Sequence, residues 1–159
     1  MKLVFVSNDK IALGILAKIF TRKPIYHLGW RDGEHFYDMH LNRRRRYWSD
    51  VKERYDSEGS KLYEFNVPQV QKDYLEHMLS KKYNTYYGFL DYVLFGLRPI
   101  YHFFGLSTRN MHGEICSESV NRDLRYSGID TPWDLSKAPP SPTDLYEFFI
   151  KREKEAKNV

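Results

Sequence analysis

The sequence predicts an α+β fold in one domain over residues 1–159, a small antiparallel sheet packed against helices. Three observations carry this expectation. Short β-prone runs recur up to Val67, amphipathic helical spacing dominates from Pro68 onward, and Asp32-Gly33 joins two of the β-prone runs as a hairpin turn.

Lys2 to Val6 is a short apolar run that reads as a strand. Ser7-Asn8-Asp9 then offers helix caps ahead of Ile11, Leu13, Ile15, Leu16, Ile19 and Phe20, whose mixed helical spacing predicts a helix. Ile25 to Trp30 and Glu34 to Leu41 are aromatic and β-prone, and the turn between them makes an antiparallel pair. Arg43 to Ser60 is polar, charged and aperiodic, which predicts mostly loop with one short strand around Tyr47-Trp48. Lys61 to Val67 alternates and reads as a further strand.

Pro68 suits a first helical turn, and Val70, Tyr74, Leu75, Met78 and Leu79 recur at spacings of three and four, giving a helix that ends near Lys82. A second helix is expected from Thr85 through Leu97, with Pro99 stopping or kinking it. Gly105 to Gly113 reads as loop, and Ile115 to Tyr126 as a helix closed by Ser127-Gly128. After the Pro-rich stretch Ala138 to Pro142, a last helix opens at Ser141-Pro142-Thr143-Asp144, and residues 151–159 read as a frayed tail.

Composition bounds the function. A mass of 19.1 kDa with 42% hydrophobic and 29% charged residues excludes fibrous, collagenous and fully disordered classes. Lys18 and Arg98-Pro99 break the two apolar stretches that might otherwise approach a membrane span, so none is expected. The stretch Tyr92 to Leu106 fits buried helix packing better than a lipid-facing surface. The run Leu3 to Val6 is too short for a signal-peptide core, so the expected compartment is cytoplasmic, or the host cytoplasm or virion if the chain is phage-encoded. Net charge is +4, with +5 in residues 1–82 and −1 beyond. That excess suits either solubility or an anionic partner.

Cys116 is the one cysteine, which excludes an internal disulfide and a thiolate-rich zinc site within this chain. It stands where His112-Gly113-Glu114 meets a predicted helix, a position whose dipole favours a thiolate. A nucleophilic thiolate needs an imidazole base, which in turn needs a third polar group to orient it. Spacing does not choose among the six histidines, and a small buried hydrophobe remains the plain reading of a lone cysteine. His35, His77, His102 and His112 carry no motif. His112 is near enough in sequence to perturb the thiol, and His35 with His40 on a hairpin is a weak metal pair. No cofactor is implied.

Several stretches taken together resemble the NlpC-type cysteine peptidases, in the circularly permuted, YiiX-like branch built on a papain-like fold. Tyr26-His27-Leu28-Gly29-Trp30 is similar to that family's histidine strand, although Leu28 replaces its usual valine. Ile115-Cys116-Ser117-Glu118-Ser119-Val120 resembles its nucleophile motif, and Ser141-Pro142-Thr143-Asp144-Leu145 its closing segment. The resemblance implies Cys116 as nucleophile, His27 as general base and Asp38, in His35-Phe36-Tyr37-Asp38-Met39, as the orienting group, with His40 as the alternative. Tyr87, in Tyr86-Tyr87-Gly88, would help bind an oxyanion. It implies acyl transfer or hydrolysis at a peptide or amide bond, with a cell-wall peptide or another acyl or amide compound as substrate. Residues 43–60 match nothing in the family, and Arg43, Arg44 and Trp48 are the candidates for substrate contact there. Arg43 to Arg46 beside Tyr47 and Trp48 also suit a non-catalytic scaffold that binds nucleic acid or another anion. Lipid-directed acyl transfer is a further alternative.

Overall fold

The computed structural model describes residues 1–39, 43–80, 116–134 and 139–157. Five strands form one sheet: β1 (Lys2–Ser7), β2 (Ile25–Asp32), β3 (His35–Met39), β4 (Arg43–Tyr47) and β5 (Lys61–Asn66). Their spatial order is β4-β3-β2-β1-β5 and every pairing is antiparallel. Among the described residues five helices accompany them: α1 (Ala12–Thr21), α2 (Trp48–Ser57), α3 (Lys72–Ser80), α4 (Cys116–Tyr126) and α5 (Pro142–Lys157). The α+β architecture and the antiparallel sheet expected from the sequence are therefore present.

Strand alternation sorts the sheet into two apolar faces. Leu3, Phe5, Leu28, Trp30, Tyr37, Met39 and Phe65 lie on one, packed against Leu75 of α3, Val120 and Leu124 of α4, and Leu145 and Phe149 of α5. Val4, Val6 and Phe36 lie on the other, under Ala17 of α1 and Trp48, Val51 and Tyr55 of α2. The period-2 alternation thus separates residues adjacent in sequence into two cores, and each large side chain fully buried this way contributes about 1.5 to 3 kcal/mol.

The turn chemistry explains the hairpin and two helix ends. Gly33 has φ +52° between β2 and β3, and Gly128 has φ +79° just after α4, conformations that glycine adopts without a Cβ penalty. At the start of α5 the Ser141 Oγ accepts from the Asp144 amide at 3.0 Å, and the Asp144 carboxylate accepts from the Ser141 amide at 2.8 Å. This reciprocal pair satisfies two amides that the helix cannot.

Four expectations need correction. Residues 43–57 are not mostly loop but a complete strand and a ten-residue helix, because the arginines of β4 find internal carboxylates instead of apolar burial. The helix expected from Pro68 begins at Lys72, since residues 68–70 make a turn in which the Val70 amide donates to the Val67 carbonyl. Asn8 does not cap α1. Its side chain closes a turn onto the Lys10 amide and donates to the Glu58 carbonyl at 2.9 Å, so α1 starts later, after Ile11. The tail expected to fray continues as helix to Lys157, carrying the pair Lys151–Glu155 one turn apart. The helix expected over 85–97 and the loop over 105–113 lie outside the described residues.

Gly29 is where strand and hairpin meet most tightly. A Cβ there would stand 2.6 Å from Phe36 Cζ and 2.7 Å from the Tyr37 carbonyl oxygen, which is backbone and cannot rotate away. Gly29→Ala is expected to lower stability by about 2 kcal/mol through overpacking. A fall in the urea midpoint with an unchanged slope would show it.

Candidate active site

The hairpin register brings two of the sequence-nominated residues together. Gly29 on β2 pairs with Asp38 on β3, so His27, two residues back on the same face of β2, is Asp38's diagonal neighbour. The His27 Nε2 and Asp38 Oδ2 are 3.0 Å apart, and both residues are buried. Because Asp38 engages Nε2, Nδ1 is the ring nitrogen left for another partner. The thiol of Cys116, the first residue of α4, is among the neighbours that raise the His27 pKa, by hydrogen bond and by charge. His27 and Asp38 are thus paired directly, and Cys116, which packs in the apolar core beside Leu28 and Trp30, is tied to His27 through its effect on the imidazole.

Asp38 is the charge centre of this group. Its side chain is wholly buried, and Arg44 Nε donates to Oδ1 at 3.1 Å while Arg46 Nη2 donates to Oδ2. Burial pushes the carboxyl pKa up. His27, by hydrogen bond and by charge, and then Arg46 and Arg44 pull it further down, leaving it below the ordinary carboxylate range. For His27, burial disfavours the imidazolium, but Tyr55, Asp38 and Cys116 act the other way and hold its pKa well above the usual value.

The arginine run is woven inward by strand alternation. Arg44 and Arg46 turn to Asp38 on one face of the sheet. On the other, Arg43 Nη2 donates to Asp123 Oδ1 at 2.8 Å and to the Ser119 carbonyl, and Arg45 reaches Glu76 at 2.8 Å. Asp123 also accepts from Trp30 Nε1 at 3.0 Å and from the Tyr74 hydroxyl at 3.2 Å. Burial and the neighbouring Asp123 charge raise the Tyr74 pKa above its normal range. This network, absent from the sequence reading, ties the helix bearing Cys116 to β2 and β4. The signal that could have found it is helical spacing: Cys116, Ser119, Val120 and Asp123 fall on one stripe of α4 and line one cavity with Leu28, Trp30 and Arg43.

That cavity holds about 20 Å³, room for a single water, and Cys116 is 1% exposed. A larger hollow of about 310 Å³ opens at the other end of β2, between Asn8, Lys23, Lys61, Tyr63 and Tyr146. Trp48 is buried against Phe36, ring centroids 5.6 Å apart, with the Arg31 guanidinium 4.6 Å above it. Tyr87, His40, His102 and His112 lie outside the described residues. Among the described residues, no three His, Cys, Asp or Glu side chains group to hold a metal ion.

No protein-family model, curated protein or solved structure matches the chain.

Linkage gives opposite pH signatures to the two members of the pair. Asp38's pKa is lowered on folding, so its contribution is complete above about pH 4 and is lost as pH falls through the lower native value. His27's pKa is raised, so its contribution is complete below about pH 6.5 and is lost as pH rises through the higher native value. Asp38→Asn is expected to cost about 3 kcal/mol at pH 7, because it leaves buried cations without their carboxylate. The gap between native and variant unfolding free energies should close as pH drops below about 4. With His27→Gln the gap should instead close in alkali, as read by urea titrations across pH.

Proposed function

We propose that the protein is a cysteine-dependent acyl hydrolase, a permuted papain-like amidase or peptidase, in which Cys116 is the nucleophile, His27 the base and Asp38 the group that orients it. The observation that supports this reading is the 3.0 Å pairing of the His27 ring with the buried Asp38 carboxylate, together with the pull of the Cys116 thiol on the His27 pKa. Asp38 holding Nε2 leaves Nδ1 to serve the sulfur, the division of labour a thiol–imidazole pair needs.

In the first half-reaction the Cys116 sulfur, its proton held by His27, attacks the substrate carbonyl carbon and forms a carbon–sulfur bond. The carbon–nitrogen bond then breaks and the departing amine takes the proton from His27. In the second half-reaction water gives a proton to His27 and attacks the thioester, releasing a carboxylic acid and restoring the thiol. Amides at the start of α4 are the donors this reading assigns to the oxyanion, each commonly worth about 3 kcal/mol in such sites. Tyr87 is a further donor in this proposal. Arg44, the more exposed of the two nominated arginines, is the better candidate to meet a substrate carboxylate or other anion.

The nearly closed sulfur sets a requirement: an acyl group larger than one water enters only when the side chains over Cys116 move aside. The nucleic-acid reading of Arg43 to Arg46 finds less support, because these guanidiniums are engaged with Asp123, Asp38 and Glu76 of the chain itself.

A whole-protein mass measurement reports the reactivity of Cys116 alone, since the chain has one thiol. In native buffer at pH 7, iodoacetamide is expected to alkylate it at least about tenfold faster in the natural protein than in His27→Gln, the size of a typical general-base effect or less. Equal rates in both, or alkylation only at the rate of global unfolding, would overturn the assignment. Cys116→Ser is expected to remove hydrolysis of a peptide p-nitroanilide mixture while leaving the circular dichroism spectrum unchanged.

A further inference from the structure

Helix α1 is amphipathic in an inverted sense. Its small residues Gly14 and Ala17 face inward, and an added Cβ at Gly14 would collide with the Asn8 carbonyl. Its large apolar residues face outward: Leu13, Ile15, Leu16, Ile19 and Phe20 are between 38% and 66% exposed. At about 100° per residue these five side chains sweep an uninterrupted arc of about 160°, wider than the stripe a helix needs to pack on a core. Five such side chains together on one short helix are a patch that needs an occupant, unlike apolar residues scattered singly.

The charges around the patch indicate which occupant. Helix α1 contains no acidic residue, Lys18 borders the apolar arc, and Lys10, Arg22 and Lys23 stand at the two ends of the helix. The nearby acids are Asp9, 3.7 Å from Lys18 in an exposed contact, and Glu147, which takes Lys23. The patch is apolar along its crest and cationic along its rim. A second copy packing symmetrically on this face would set the same cations against themselves. An anionic lipid surface neutralises the rim and accepts the crest below its headgroups. Among the described residues no helix is long and apolar enough to cross a membrane. The ten residues of α1 rise about 15 Å, half a hydrocarbon core, so the helix would lie along the interface.

We infer that α1 is a lipid-docking helix that seats the protein reversibly on anionic phospholipid, with Leu16 and Ile19 at the centre of the inserted face and Phe20 on the same face. This inference does not depend on chemistry at Cys116. The full chain should pellet with vesicles of phosphatidylcholine mixed with phosphatidylglycerol, pellet less with phosphatidylcholine alone, and be released as salt rises and screens the rim. The double variant Ile19→Asp, Phe20→Ser should remain in the supernatant with native circular dichroism. Lys18→Glu, a surface charge swap that leaves the crest intact, should weaken binding at least about fivefold, and it carries the test by itself should the double variant unfold. The inference fails if the natural protein does not pellet with the mixed vesicles or if the folded variants pellet as it does. It fails equally if light scattering shows a dimer that the α1 substitutions convert to monomer without any vesicle binding.

Discussion

The buried carboxylate of Asp38 is the constraint on which the candidate site depends. Isolated, a charge in that position would cost several kcal/mol, and the chain meets the cost by bringing donors from β2 and β4 to the same two oxygens. The carboxylate therefore acts in two ways. It joins three consecutive strands through one ionic centre, and it fixes which ring nitrogen of His27 is left for another partner. Strand registry and imidazole orientation become the same fact, because a one-residue slip of β3 would move Asp38 to the opposite face and release both.

A second buried carboxylate, Asp123, does comparable work on the other side of the sheet. It receives an indole, a phenol and a guanidinium, one each from β2, α3 and β4. Its contribution is to hold α4 against the sheet, and α4 begins with the thiol. The two acids are bridged through consecutive arginines of β4, Arg43 to one and Arg44 to the other. A rotation of that strand would disturb both the imidazole and the helix that carries the sulfur.

Much of this was legible in the sequence, and the exceptions have physical causes. The β2–β3 hairpin, β1, β5, α4 and α5 follow from alternation, a turn glycine and a capping pair, all local signals. The strand β4 was hidden because four identical arginines carry no apolar alternation; only their partners, distant in sequence, distinguish the two faces. Helix α1 showed mixed spacing because its apolar residues do not mark an inward stripe. At the site, His27 and Asp38 could be related through the hairpin, since the register follows from the turn. The relation of Cys116 to His27 was implied only by the family resemblance, because it depends on how a helix nearly ninety residues along the chain packs on the sheet.

Position in the sheet gives the arginine strand one further property. In the order β4-β3-β2-β1-β5 it is an outer strand among the described residues, with one row of peptide groups not paired to β3. Bare outer strands invite a strand of another molecule to add on, the first step toward aggregates. A border built of consecutive guanidinium side chains makes that addition costly, since an incoming copy would press like charge against like. The residues that organise the interior thus also guard the perimeter of the sheet against self-templating.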